Sequence, residues 1–262
     1  VLSIKLIQLA VNENESKADR LLRVEKILEQ TAAENDQLQM IMLPEIWGTG
    51  FFNFNRYREE SESLEGETFT RLAWWAEKLN SYLLGGSIVE RDGNSYYNTT
   101  LLIGPNGTLC GTYRKIHLFG YQSAESEILS PGSELYTLKS KYGAWGFSTC
   151  YDLRFPELYR KMIDAAVDII FVVAAWPLAR LEHWLILNRS RALENLAFLV
   201  ACNCAGGYGD QQYGGNSLVV SPWGDLLARG GLTEEQLTFT IDPQEIVKIR
   251  STFPALQDRR IR

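Results

Sequence analysis

The stretch AWGFSTCYDLRFPELYRKMIDAAVDIIFVVAAW, residues 144–176, decides the fold. AWGFSTC (144–150) reads as a strand that ends at Cys150, and ELYRKMIDA (157–165) as a helix. DIIFVVAAW (168–176) is the most apolar run of the chain and reads as a central strand, because a strand covered on both faces does not alternate. Strand, helix, strand is the unit of a parallel sheet. Downstream, residues 181–195 read as helical, with Leu181, Leu185 and Leu193 on or near one face, and AFLVACNC (197–204) as another strand. LVVSPWGDLLAR (218–229) is a hairpin around a Pro-Trp-Gly-Asp turn. Between them AGGYGDQQYGGN (205–216) lacks the glycine spacing of nucleotide loops and is expected to be a mobile surface loop near the site.

The first half repeats the pattern. Ile4, Leu6 and Gln8 share one face of a first strand, with Lys5, Ile7 and Leu9 on the other. A helix over about residues 16–33 carries Leu21, Val24, Ile27 and Leu28 at helical spacing. LQMIML (38–43) is a short strand closed by Pro44; Leu72, Trp75, Ala76 and Leu79 mark a second helix; YLLGGSIVE (82–90) is a third strand. LLIGPNGTLCGTYR (101–114) is a hairpin around Pro-Asn-Gly. With no Pro/Gly/Ser-rich linker between the halves, residues 1–262 read as one domain, two packed sheets covered by helices.

Composition narrows the function. The chain has 262 residues, 45% hydrophobic and 22% charged, which excludes a disordered chain, a coiled coil and a collagen-like polymer. A net charge of −6 lacks the positive footprint of a nucleic-acid binder, and Arg259, Arg260 and Arg262 read as a solvated tail. No apolar run is long enough to cross a membrane, and VLSIKLIQLAV, with Lys5 in its middle, reads as a strand rather than a signal peptide. The four cysteines are expected as reduced thiols of a cytoplasmic protein. His117 and His183 stand in no metal-binding motif, so neither a metal nor another cofactor is expected. Cys202 and Cys204 alternate toward one face of an apolar strand, and packing is a better reading than a metal pair.

Three polar residues end or follow apolar strands: Glu45 in MLPEIW, Lys115 in TYRKIHLF and Cys150 in FSTCYDLRFPE. Singly, each has a bland reading, as a surface carboxylate, a solvated lysine and a small buried hydrophobe. Together they complete one mechanism. A cysteine that attacks an amide carbonyl needs a base, which a carboxylate supplies, and the tetrahedral oxyanion needs donors, which Lys115 and the backbone N–H after Cys150 could supply. The cation favours the thiolate and the carboxylate opposes it; the sequence leaves open which dominates. A Cys–His hydrolase using His117 or His183, and a non-catalytic binding protein, are the competing readings.

LPEIW, YRKIHLF and CYDLRFPEL, in that order, resemble the three signature segments of the nitrilase superfamily of carbon–nitrogen hydrolases, and further similar pieces run through NSLVVSPWGDLLA to FPALQDRR. The resemblance implies a four-layer α-β-β-α sandwich that pairs into an eight-layer homodimer. It implies Glu45 as general base, Cys150 as nucleophile, Lys115 as oxyanion stabiliser and Glu125 as an additional glutamate beside the lysine; the bland reading of Glu125 is a solvated loop charge. CYDLRFPEL followed by VAAWPLARLEHW and RALEN is similar to the ω-amidase branch, which releases ammonia from the terminal amide of 2-oxoglutaramate-like acids through a cysteine thioester. The same set would also serve a deaminated-glutathione amidase or an N-carbamoyl amine amidohydrolase. Arg154 would hold the substrate carboxylate, or else pair with Asp152 or Glu157; Tyr151 would line the pocket, and Trp176 would wall it or else fill the core, with Phe119 and Tyr121 as weaker candidates. His117 is expected to pack or hydrogen-bond near Lys115, and His183 to sit at a dimer or pocket edge.

Overall fold

A computed structural model describes residues 1–34 and 37–261, which leaves Arg262 of the arginine-rich end outside the described residues. Two six-stranded sheets lie face to face. The first runs β15 (Glu235–Ile241), β1 (Leu2–Gln8), β3 (Met40–Met42), β4 (Tyr82–Asp92), β5 (Ser95–Ile103) and β6 (Leu109–Arg114). The second runs β14 (Leu226–Arg229), β13 (Leu218–Val220), β10 (Phe198–Asn203), β9 (Ile169–Ala174), β8 (Gly143–Thr149) and β7 (Thr137–Ser140). Each has a parallel centre, β1-β3-β4 in one and β8-β9-β10 in the other, with antiparallel hairpins outside.

The pleat of β1 sorts its side chains as expected. Ile4 and Leu6 join Met42, Leu84 and Leu102 in the core between the sheets, where they meet Phe147, Phe171 and Val172. Ile7 faces the other way, into a second cluster with Leu21, Val24 and Leu28 of α1 (Lys17–Glu34) and Leu72, Trp75 and Ala76 of α2 (Glu67–Leu79). Lys5, on that outer face, is buried and paired with Glu34. Leu158, Tyr159 and Met162 of α4 (Pro156–Asp164), and Trp184 and Ala192 of α5 (Leu181–Asn195), pack against the second sheet. The layers are therefore α-β-β-α. All six residues of β9 are buried, which explains its unbroken apolar run.

Three expectations need correction. The segment 205–216 is not a loose surface loop: β11 (Ala205–Tyr208) and β12 (Gln211–Gln212) form a small sheet with β2 (Ala10–Asn12), and Tyr213 is buried against Phe52. Its glycines serve this close pairing; a Cβ on Gly206, at φ +81°, would meet Asn12 Oδ1 at 2.5 Å. Leu193 is half-exposed, and the buried face of α5 is mostly polar: Asn188, Arg191 and Asn195 join Trp184 and Ala192 there. Arg191 sends Nε and Nη2 to the carbonyl of Leu153, so the helix is docked by hydrogen bonds as well as by apolar contact. Arg259 is not a solvated tail residue, since it pairs with Asp164 of α4 at 2.8 Å; Arg260 is exposed. Beyond these elements, α6 (Gln244–Thr252) follows β15 and docks Arg250 onto Asp168, and α3 (Glu125–Ile128) is a single turn beside the site.

Candidate active site

Glu45, Lys115 and Cys150 each sit one to three residues beyond the end of a strand: β3, β6 and β8. Two of the turns are strained. Cys150 has φ +47°, and Ile46, next to Glu45, has φ +40° despite its branched Cβ, a conformation that costs on the order of 1–3 kcal/mol. Local bonds hold both. Ile46 N–H donates to Ser87 Oγ at 3.0 Å, and Trp47 Nε1 to the Gly85 carbonyl at 2.8 Å. Gly86, at φ +68°, passes so close to Pro44 that a Cβ there would lie 2.0 Å from the Pro44 carbonyl. At Cys150 the holder is the buried Asp152, which accepts from Thr149 N–H (2.9 Å), Tyr113 Oη–H (2.7 Å) and His117 N–H (3.0 Å). Asp152 thus ties the cysteine turn to the chain just after Lys115.

Lys115, wholly buried, donates from Nζ to Glu45 Oε1 (2.8 Å) and to both oxygens of Glu125 (2.9 Å each). Burial opposes the charge on Lys115, but the carboxylates of Glu125 and Glu45 outweigh it and lift the ammonium above its ordinary value. Glu125 is not a solvated loop charge: it is fully buried and also accepts from Phe119 N–H at 2.7 Å. Burial raises its carboxyl above the usual range, Lys115 works against that, and Glu45 adds to it. Glu45 Oε2 accepts from Ala175 N–H at 2.8 Å, which ties the base candidate to the end of β9. The thiol of Cys150 lies well above its ordinary value, through burial first and the charge of Glu45 second, with Lys115 opposing. Burial and carboxylate together outweigh the cation, so the resting cysteine is a thiol.

Of these groups Cys150 reaches a cavity. A cleft of about 460 Å³ opens above it, with Phe51, Phe119, Tyr151, Trp176, Arg154 and Arg180 among its walls. Glu45 and Lys115 are near enough to act on the Cys150 thiol but do not line this cleft, nor does Glu125. Arg154 makes no ion pair with Asp152 or Glu157; its guanidinium lies 5.1 Å from the Trp176 ring centre and donates from Nη2 to His183 Nδ1 at 3.1 Å. His117 is bonded through Nδ1 to Asp152 (2.7 Å) and stacks on Phe155. Both histidines are thus engaged away from the thiol, which removes the geometric basis of a Cys–His dyad. Cys202 and Cys204 are buried, their thiols turned to the backbone carbonyls of Ile7 and Glu45. Among the described residues no cluster of three or more His, Cys, Asp or Glu is placed to hold a metal.

One residue escapes the sequence reading altogether. Asn98 of β5, fully buried, donates from Nδ2 to Glu45 Oε1 (2.8 Å) and to Glu125 Oε1 (2.9 Å). Its backbone carbonyl accepts from Lys115 N–H at 2.8 Å. The available signal was an asparagine in the middle of a strand, where that residue is depleted without a reason.

The comparisons agree with this architecture. The family model described as carbon-nitrogen hydrolase matches residues 4–251, and the chain belongs to that family. It is 35% identical to a 2-oxoglutaramate amidase of Paenarthrobacter nicotinovorans, over 99% of this chain and 90% of the relative. It is 32% identical to the human Omega-amidase NIT2, over 98% and 94%. Among solved structures, Saccharomyces cerevisiae Nit3, a member of branch 10 of the nitrilase superfamily, superposes with a TM-score of 0.90 at 30% identity, covering 99% and 97% of the two chains. XC1258 of Xanthomonas campestris, a CN-hydrolase superfamily protein with an arsenic adduct in its active site, gives 0.91 at 30%, covering 100% and 98%. The α-β-β-α expectation and the family resemblance both hold.

Proposed function

We propose that residues 1–262 form one catalytic domain, an amidohydrolase that cleaves the terminal amide of small carboxylic acids of the 2-oxoglutaramate type and releases ammonia. The observation that carries this reading is the buried Glu45–Lys115–Glu125 set next to Cys150, the group of the four that lines the cleft. Similarity to a 2-oxoglutaramate amidase supports the substrate class.

Because the resting cysteine is a thiol, its proton leaves as attack occurs. Cys150 Sγ bonds to the amide carbon while Glu45 takes the proton. Lys115 Nζ and the backbone N–H of Tyr151 stabilise the oxyanion, each such donor being worth about 2.7–4 kcal/mol. The tetrahedral species collapses, the C–N bond breaks, and Glu45 returns the proton to the departing ammonia. Glu45 then deprotonates water, whose oxygen attacks the thioester; the acid leaves and the thiol is restored. Glu125 keeps Lys115 charged and fixed. Arg154 takes the substrate carboxylate, with Tyr151 and Trp176 as walls.

Ammonia release from 2-oxoglutaramate by purified protein, with Cys150→Ala run in parallel, tests the reading. Release by wild type alone supports it; release by both removes the nucleophile. We further assign the enzyme to the cytoplasm, supported by four free thiols, and to a homodimer. The exposed pair Trp223 and Phe253, ring centres 5.7 Å apart, offers a face for pairing. Sedimentation at micromolar concentration tests the dimer, and a monomer there removes it.

A further inference from the structure

Arg180 follows the strand end that carries Trp176, and its guanidinium also opens on the cleft. It lies 5.6 Å from the ring centre of Phe119 and 5.7 Å from that of Tyr121. Its backbone carbonyl accepts from Trp176 Nε1 at 2.8 Å, which fixes the chain at that point. Arg154 stands at the other end of an aromatic wall, 5.9 Å from the Tyr151 ring, and Tyr151 meets Phe119 edge to face at 5.0 Å. Among the described residues neither arginine has a carboxylate partner, and no Asp or Glu lines the cleft. The other site cation, Lys115, is paired with two carboxylates and does not line the cleft. Two guanidinium groups over aromatic surface, with no carboxylate in the lining, give the cleft wall a concentrated positive field.

We infer that Arg180 is a specificity-determining residue, a second anion-reading group that selects amides whose acid end carries an oxygen acceptor beyond a single carboxylate, as a 2-oxo acid does. The inference rests on the amidase reading above and extends its substrate class. A carboxylate is held in the plane by one guanidinium fork. Arg154 already gives one N–H to His183 and keeps the rest of its donors for that carboxylate. That fork uses two of the carboxylate's roughly four lone-pair sites, and Arg180, with five more donors, can take an oxygen next to the carboxylate as well as the sites left on it. A simple monoamide of a dicarboxylic acid offers Arg180 only the lone-pair sites left on that carboxylate, whereas the 2-oxo oxygen beside it adds an acceptor and widens the edge.

The test compares kcat/KM for 2-oxoglutaramate, glutaramate and uncharged pentanamide in wild type, Arg154→Gln and Arg180→Gln. A group left without its hydrogen-bonding partner discriminates strongly, so Arg180→Gln should lower the 2-oxoglutaramate-to-glutaramate ratio about tenfold, mainly through KM. Arg154→Gln should lower both acids relative to pentanamide. An unchanged ratio in Arg180→Gln, or an equal loss on all three amides, overturns the assignment while leaving the amidase standing. If wild type cleaves none of them, the amidase reading fails on its own. Calorimetric titration with 2-oxoglutarate then decides for Arg180: binding by wild type that weakens about tenfold in Arg180→Gln upholds it, and equal or absent binding removes it.

Discussion

Glu45 and Glu125 hold the same two donors between them. Lys115 Nζ and Asn98 Nδ2 each reach Oε1 of both glutamates, at 2.8 and 2.9 Å, so two carboxylates, an ammonium and an amide close a ring within the protein. Two like charges so near one cation repel each other, and the amide is what separates them without adding charge.

Asn98→Ala should therefore slow the chemistry. Hydrogen bonds to charged groups contribute about 1.5–3 kcal/mol, so kcat should fall at least about tenfold with KM little changed. The Asn98 bond lowers the Glu125 carboxyl, so with that donor gone Glu125 holds its proton more tightly, and the acidic limb of the pH–rate profile should move up in pH. Steady-state rates across pH check this. Wild-type kcat with only a lowered melting temperature would leave Asn98 a purely structural residue.

The thiol of Cys150 is raised by burial and then by the charge of Glu45. Glu45→Gln removes that charge, so its thiol should fall and the thiolate fraction at about pH 8 should grow. Iodoacetamide should alkylate Cys150 faster in this variant, by about threefold or more, while turnover drops by roughly 10²–10⁴-fold with the base gone. Slower alkylation in Glu45→Gln would mean that Glu45 assists the resting thiol instead of opposing ionisation.

Asp152 joins the cysteine turn to the lysine loop through one buried carboxylate. Asp152→Asn replaces an acceptor oxygen by a donor that faces other donors. Leaving a buried group unsatisfied costs about 1–3 kcal/mol, more for charged partners, and thermal unfolding should record a loss at least that large. Alkylation of Cys150 should also lose its uniform single rate as the turn loosens. A melting temperature within a degree or so of wild type would show that the tie carries no strain.

Gly86→Ala tests the support of Glu45. Its Cβ would stand 2.0 Å from the Pro44 carbonyl and 2.7 Å from Trp47 Cδ1, at a positive φ that already disfavours a side chain. Neither contact is a flexible chain end, so the turn must move. Destabilisation above about 2 kcal/mol with a disproportionate loss of kcat is expected. Chemical denaturation and turnover on the same sample separate the two effects; full activity in a stable variant would mean the turn is not held from behind.

The sequence by itself determined the central strands of the two large sheets and the three strand-end residues, but not the edge strands β7 and β15. Periodicity settled this: Ile4 and Leu6 against Ile7, the uniform run of β9, and the 3.6-residue spacing of α1 each demand a particular covering, and a residue ending an apolar strand in such a sheet has one edge to appear on. Polar burial was not legible. A pattern of apolar residues does not distinguish Glu125 in solvent from Glu125 locked beneath a lysine, and it gives no weight to Asn98, Asn188 or Arg191, whose partners lie 27 to 53 residues away or a turn along the same helix. Tertiary structure alone decided that segment 205–216 pairs with β2, that Arg154 turns from Asp152 toward the cleft, and that the cysteine rests as a thiol. Those outcomes depend on directional bonds and on burial of charge, which act between residues brought together only after the sheets have packed.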